Sequence, residues 1–121
     1  MPRFSANLGF LWTDLTLPDA IRAAGAASFD AVECHLPYDY DPVDVRDALD
    51  ETGLEMVSLN TRIGDQDGDL GVAALPGREV LARSYILEAI NYAVAIRCSK
   101  ISVVAGRSGR TKVAERTYAE N

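Results

Sequence analysis

The chain has 121 residues, 48% of them hydrophobic and 25% charged, the size and make-up of one ordinary globular domain with room for a real core. Its formal net charge of −6 argues against a DNA or RNA partner, because a protein that holds a phosphate backbone needs a basic face. No apolar run approaches the roughly eighteen residues of a membrane span, and the opening MPRFSANLGFLW has no signal-peptide cleavage pattern, so the expected setting is the cytoplasm, away from any membrane.

Residues 4–8, FSANL, alternate apolar and small polar side chains, as a short strand does. A helix follows, with Thr16 as N-cap and Pro18 in its first turn, running to about Ala27 with a narrow stripe of Ala20, Ile21, Ala24 and Ala27. Small residues there let a helix lie close on a sheet. Residues 30–35, DAVECH, read as a second strand, and LPYDYD as a loop bounded by prolines. Asp41 then caps a second helix from Pro42 to Glu51, which Gly53 ends.

Residues 55–60 form the third strand, and from there a long polar stretch, TRIGDQDGDLGVAALPGRE, leads into the longest helical pattern of the chain. A connection of about eighteen residues far exceeds the usual two to six, and such length is normally functional, the alternative being a mobile surface insertion. It carries Arg62 and Arg78, the acids Asp65, Asp67 and Asp69, and four glycines. The third helix is expected over 79–97, with Val80, Ile86 or Leu87, Ile90, Ala93 and Val94 on its buried face. Residues 100–105, KISVVA, are the fourth strand. VAERTYAEN opens a fourth helix, too short to hold without packing and expected to fray or to lean on something outside the chain. Basic residues gather at Arg107, Arg110, Lys112 and Arg116, a pattern more usual for a solvated surface than for a binding patch. Cys34 and Cys98 sit within apolar patterns and read as small buried hydrophobes, neither a disulfide nor a metal pair.

Strand and helix alternate three and a half times, which means an α/β protein with a parallel sheet and right-handed crossovers. An open doubly wound sheet is apolar on both faces, whereas these strands are apolar on one only: Phe4, Ala6 and Leu8; Val32 and Cys34; Val57 and Leu59; Ile101 and Val103. The other face carries Ser5 and Asn7, Glu33 and His35, Ser58 and Asn60, and Ser102. That is the pattern of a barrel interior with helices outside, so the expectation is about half of a TIM barrel: four strands, three full helices and the start of a fourth. Asn7, His35 and Asn60 fall at the C-terminal ends of their strands, where such barrels place their sites. Glu33 and His35, two apart and on one face, have acid-base or ligand chemistry, but two ligands fall short of a metal site; the plain structural role, with both simply hydrogen-bonded, stands beside pocket lining. Arg62 and Arg78 have the paired donors to grip a carboxylate, or are solvated loop charges.

The opening RFSANLGFLW, the segment FDAVECHLPYDYD, the strand and loop SLNTRIGDQDGDLGVAALPGRE, and INYAVAI ahead of KISVVAG closely resemble the start of hydroxypyruvate isomerases, members of the xylose-isomerase-like TIM barrels. The resemblance covers essentially the whole chain. It implies interconversion of an aldehyde and a ketone, hydroxypyruvate and tartronate semialdehyde, with a divalent metal, Mg or Mn, bridging the substrate oxygens while two glutamates move a proton between carbons. Family members run to roughly twice this length, and their metal-binding and proton-transferring carboxylates lie on later strands. None can be assigned here, so no catalytic or metal residue is expected, and the chain by itself is expected to be inactive and to bind no metal. The pocket wall that carries over is Asn7, Glu33, His35, Asn60, Arg62 and Arg78, facing a small hydroxy-oxo acid.

Two other readings compete with the partial isomerase. A homodimer, associating through the open sheet edges, would restore eight strands and set two copies of Glu33 and His35 across the barrel. A non-catalytic sugar-acid-binding module would use the loop without a metal. Ser28 and Arg97-Cys98-Ser99 stand where glycines would suit the turns that leave the helices.

Overall fold

The computed structural model describes residues 1–121. Four parallel strands, β1 (Ser5–Asn7), β2 (Ala31–Glu33), β3 (Glu55–Asn60) and β4 (Ile101–Ser102), lie in the order in which they occur in the chain, and each neighbouring pair is joined by a helical crossover. The helices are α1 (Leu17–Ala26), α2 (Pro42–Thr52), α3 (Glu79–Ile96) and α4 (Lys112–Glu120). This is half of a β/α barrel, with its main core between the sheet and α1 to α3.

The caps read from the sequence are in place. The Thr16 hydroxyl accepts from the Asp19 N–H at 3.3 Å, and the Asp41 carboxylate accepts from the Val43 N–H at 2.8 Å. Ala20, Ile21 and Ala24 of α1 are buried against Val45, Ala48 and Leu49 of α2 and the strand residues Ala6, Val32 and Cys34. Cys34 and Cys98 are both free and buried. Burial pushes the Cys34 thiol up to about 12, which leaves it an unreactive apolar filler.

Phe4, read as part of the apolar face, precedes β1 and is exposed, and three further elements depart from the sequence reading. In β3 the register slips: Val32 pairs with Met56 and Glu33 with Ser58, so Val57 is an extra residue. This bulge sends Met56 and Leu59 into the core and leaves Val57 half-buried, where strict alternation had put Val57 inside. In α3 the core face is Ala82, Ala89, Tyr92, Ala93 and Ile96, and of the residues expected there only Ala93 is buried. Val80, Leu87, Ile90 and Val94 face solvent. Alanines let α3 sit low on the strands, which outweighs the larger but more distant aliphatic stripe. The third departure is α4, which leans on its own chain: Ala114 and Thr117 are buried, the Tyr118 hydroxyl donates to Val103 O at 3.1 Å, and Asn121 Nδ2 donates to Ala73 O at 2.9 Å.

Both sheet edges are blunted. The outward Val103 carbonyl just past β4 is taken by Tyr118, and the outward Asn7 carbonyl of β1 accepts from the Phe10 and Leu11 N–H groups of the following turn. Ser28 and Arg97 adopt left-handed backbone, with φ of 63° and 57°. A β-carbon is strained there, so Ser28→Gly is expected to raise stability by about 0.5–1 kcal/mol despite the entropy glycine adds to the unfolded chain, measurable by urea unfolding.

Candidate functional site

The open face of the sheet, opposite the helices, holds the polar set. Glu33 accepts from the Ser58 hydroxyl at 3.1 Å, a pairing made possible by the β3 bulge that sets Ser58 beside it. Asn7, at the end of β1, turns its Oδ1 back to accept from the Gly9 N–H at 2.9 Å, which leaves its Nδ2 donors for a ligand. His35 lies just beyond β2, its backbone carbonyl accepting from the Asn60 N–H at 2.9 Å. That bond holds the ends of β2 and β3 together.

The His35 ring is held by shape. Phe10 packs edge-on against it with centroids 5.1 Å apart, and it covers Gly9 so closely that a β-carbon there would fall 2.3 Å from the ring. No side chain or carbonyl of the chain hydrogen-bonds its nitrogens. The ring also forms one wall of a cleft of about 300 Å³ between the loops after β1 and β2, which Trp12, Leu36 and Tyr40 help to line. Asn7, Glu33, His35 and Asn60 stand at or near the C-terminal ends of neighbouring strands, and of the four only His35 lines this cleft.

The two arginines are placed differently. Arg62 spends its guanidinium on Glu88 of α3, through Nε at 2.8 Å and Nη2 at 3.1 Å, and lies over the Tyr38 ring at 4.8 Å. Arg78 binds both Asp69 oxygens, at 2.8 and 2.9 Å, and also Asp65. Asp69 Oδ2 accepts in addition from the Asp65 and Gln66 N–H groups at 3.1 and 3.0 Å, closing the loop on itself. Both are paired within the chain, which makes them braces of the 61–78 loop.

Arg78 and those two N–H donors hold the Asp69 carboxyl down to about 2. A carboxyl depressed in the folded state stabilises fully above its unfolded value of about 3.9, and that contribution is lost as pH falls toward 2. The loop is therefore expected to loosen between about pH 4 and pH 2, seen as a stability loss in acid titration that Asp69→Asn removes.

Two contributors were not singled out in the sequence. Tyr38 donates its hydroxyl to Asn60 O and meets Tyr92 edge-on, and Tyr92 in turn donates to Tyr40 O at 2.9 Å. The buried Thr61 hydroxyl accepts from the Val104 N–H at 3.0 Å and stitches the loop to the end of β4. The tyrosines in LPYDYD were the available signal for the first, and Thr61 gave none.

The loop is packed, not mobile filler. Val72, Ala73 and Ala82 make a second small core, and the Ala73 and Ala74 N–H groups donate to Val104 O and Ala105 O. At its centre Gly71 and Gly106 meet backbone to backbone, with φ of 108° and 98°. A β-carbon on Gly71 would lie 2.4 Å from Val104 O.

No helix is long and apolar enough to cross a membrane. No group of three or more His, Cys, Asp or Glu side chains converges anywhere in the chain, and Glu33, the one carboxylate among the residues gathered at the site, is engaged by Ser58. The residues present do not by themselves form a metal site.

The chain is similar to known proteins in sequence and in fold. A family profile described as "Xylose isomerase-like TIM barrel" matches residues 19–121. The "Putative hydroxypyruvate isomerase" of Homo sapiens is 41% identical over 98% of this chain and 44% of its own length. The "2-oxo-tetronate isomerase" of Pectobacterium atrosepticum is 41% identical over 88% of this chain and 41% of its own, and the "Hydroxypyruvate isomerase" of Escherichia coli is 34% identical over 98% and 46%. Among solved structures, the "AP endonuclease, family 2" from Brucella melitensis superposes with a TM-score of 0.91 at 33% identity, covering 99% of this chain and 48% of that one. The chain spans less than half the length of each of these relatives. By sequence and by fold it belongs to the xylose isomerase-like TIM barrel family, and its residues correspond to the first four β/α units of that barrel.

Proposed function

We propose that this chain provides the N-terminal wall of an aldose–ketose isomerase pocket that takes a small hydroxy-oxo acid such as hydroxypyruvate. The observation that carries this reading is that Asn7, His35 and Asn60 stand at the C-terminal ends of neighbouring strands, with polar side-chain groups the chain itself leaves unused. The relatives named as hydroxypyruvate and 2-oxo-tetronate isomerases support the substrate class.

The division of labour follows from the contacts. Asn7 Nδ2 and the Asn60 carboxamide donate to substrate oxygens, and the His35 ring supplies a further donor or acceptor on the same rim. Glu33, oriented by Ser58, lies beneath them as an acceptor for a substrate hydroxyl. Arg62 and Arg78 act indirectly, bracing the loop that borders the rim. Moving a proton between adjacent carbons calls for a second positioned acid or base beside Glu33, which this wall does not supply. With one carboxylate on this wall, the chain binds the acid without turning it over.

Amide NMR during titration with hydroxypyruvate tests the reading. Saturable shifts centred on Gly9, His35, Asn60 and Thr61 are expected, with no isomerised product when Mg or Mn is added. Shifts confined elsewhere would end the pocket assignment, and turnover would end the division of labour.

A further inference from the structure

A three-carbon acid held at the rim leaves the cleft between the loops after β1 and β2 unfilled. The cleft has a volume of about 300 Å³, and an apolar cavity of roughly 150 Å³ is enough for a benzene ring. Leu17 and Cys34 are buried and form its floor, while Leu15 from one loop and Leu36 from the other stand 39% and 41% exposed at its mouth. No Asp, Glu, Lys or Arg lines it, so a charged group would enter without a counter-ion. Apart from His35, its polar side-chain heads are the Thr13 and Tyr40 hydroxyls and the Cys34 thiol, too few to satisfy a polyhydroxylated chain. What fits is apolar.

One wall is held in place at a cost. Trp12 has left-handed backbone, with φ of 53°, which a bulky residue adopts only where its surroundings compel it. Its ring meets Phe29 edge-on at 6.2 Å, and its carbonyl accepts from the Leu15 N–H at 3.0 Å. Strain of this kind gathers at binding sites. The cleft also borders the rim. Asn7 Oδ1 accepts from the Gly9 N–H, the His35 ring packs on Gly9, and Gly9 and His35 both line the cleft. An acid whose head is held by Asn7 therefore has its other end beside the His35 ring, with the apolar walls beyond.

We propose that this cleft is a tail subsite of the pocket, which selects a hydroxy-oxo acid carrying a short apolar substituent on its hydroxyl-bearing carbon. The inference rests on the pocket reading above and adds to it the class of acid preferred. Such a substituent leaves one hydrogen on that carbon, the one that isomerisation moves to its neighbour.

Titrating the full chain with pyruvate, 2-oxobutyrate, 2-oxovalerate and 2-oxohexanoate tests it. Trp12 is the single tryptophan of the chain, so its fluorescence and its indole N–H signal report on the cleft directly. Each added methylene is expected to tighten binding about threefold to fourfold, the gain that its burial gives. The longer acids should shift the Trp12 indole N–H, which pyruvate leaves in place. Leu15→Asp should flatten the series, so that 2-oxohexanoate binds no tighter than pyruvate, and Leu36→Asp on the other lip gives the same reading should Leu15→Asp fold poorly. Equal affinity along the series overturns the subsite and leaves the pocket reading standing. Binding of the tailed acids with pyruvate silent supports the subsite and removes the rim contacts to the acid head, and no binding by any of the four ends both.

Discussion

Replacing Gly71 by alanine is expected to lower stability by about 3 kcal/mol, enough to drop the melting temperature by roughly 10–20 °C in a domain of this size. Two costs add. At φ of 108° an L-residue is strained, and the new methyl would sit 2.4 Å from Val104 O and 2.6 Å from the Gly106 N, backbone atoms that no rotamer change can move. The loop must back away from the end of β4, which breaks the bonds from the Ala73 and Ala74 N–H groups and exposes Val72. Gly68→Ala is the control: its φ is also positive, at 83°, but nothing lies within 4 Å of the added carbon, so it bears the strain alone. A difference of at least about 1 kcal/mol between the two in urea unfolding is expected. Equal losses would mean that the Gly71 to Gly106 contact contributes nothing.

Gly9→Ala is expected to do the opposite, sparing the fold and removing the ligand. The backbone at Gly9 is not left-handed, and the obstacle is the His35 ring, a side chain that can turn aside at the cost of its contact with Phe10. Swinging it away from Phe10 should cost no more than about 1 kcal/mol of stability, yet it takes the imidazole off the rim. A hydrogen bond to a charged ligand contributes about 1.5–3 kcal/mol, so hydroxypyruvate binding should fall roughly tenfold to a hundredfold. His35→Ala should give a similar loss in the same titration. Unchanged binding in both would remove His35 from the pocket.

The strand order, the helix caps and the polar face of the sheet could be read from the chain because each rests on local chemistry: Thr16 and Asp41 beside their helices, Asn7, Glu33 and Asn60 alternating along theirs. The errors arose where two local readings were equally good and the tertiary fold chose between them. In α3 both an aliphatic and an alanine-rich face recur at helical spacing, and the smaller one won because it lets the helix approach the strands. Val57 looked like a core residue until one extra residue in β3 moved Met56 into its place. Arg62 and Arg78 looked free because their partners, Glu88 twenty-six residues on and Asp69 nine residues back, become neighbours only once the loop has folded.

Since every strand pairs with the one before it in the chain, the sheet can assemble in the order in which a ribosome delivers it. Each new strand finds its docking surface already exposed, and none has to wait for a partner still unmade. The bonds that reach back are those from the stretch after β4 and from Asn121 to the 61–78 loop, which therefore sets only once β4 has been made. A nascent chain stalled after α2 should already protect the amides of β1 and β2, long before the rim that would hold a ligand is complete.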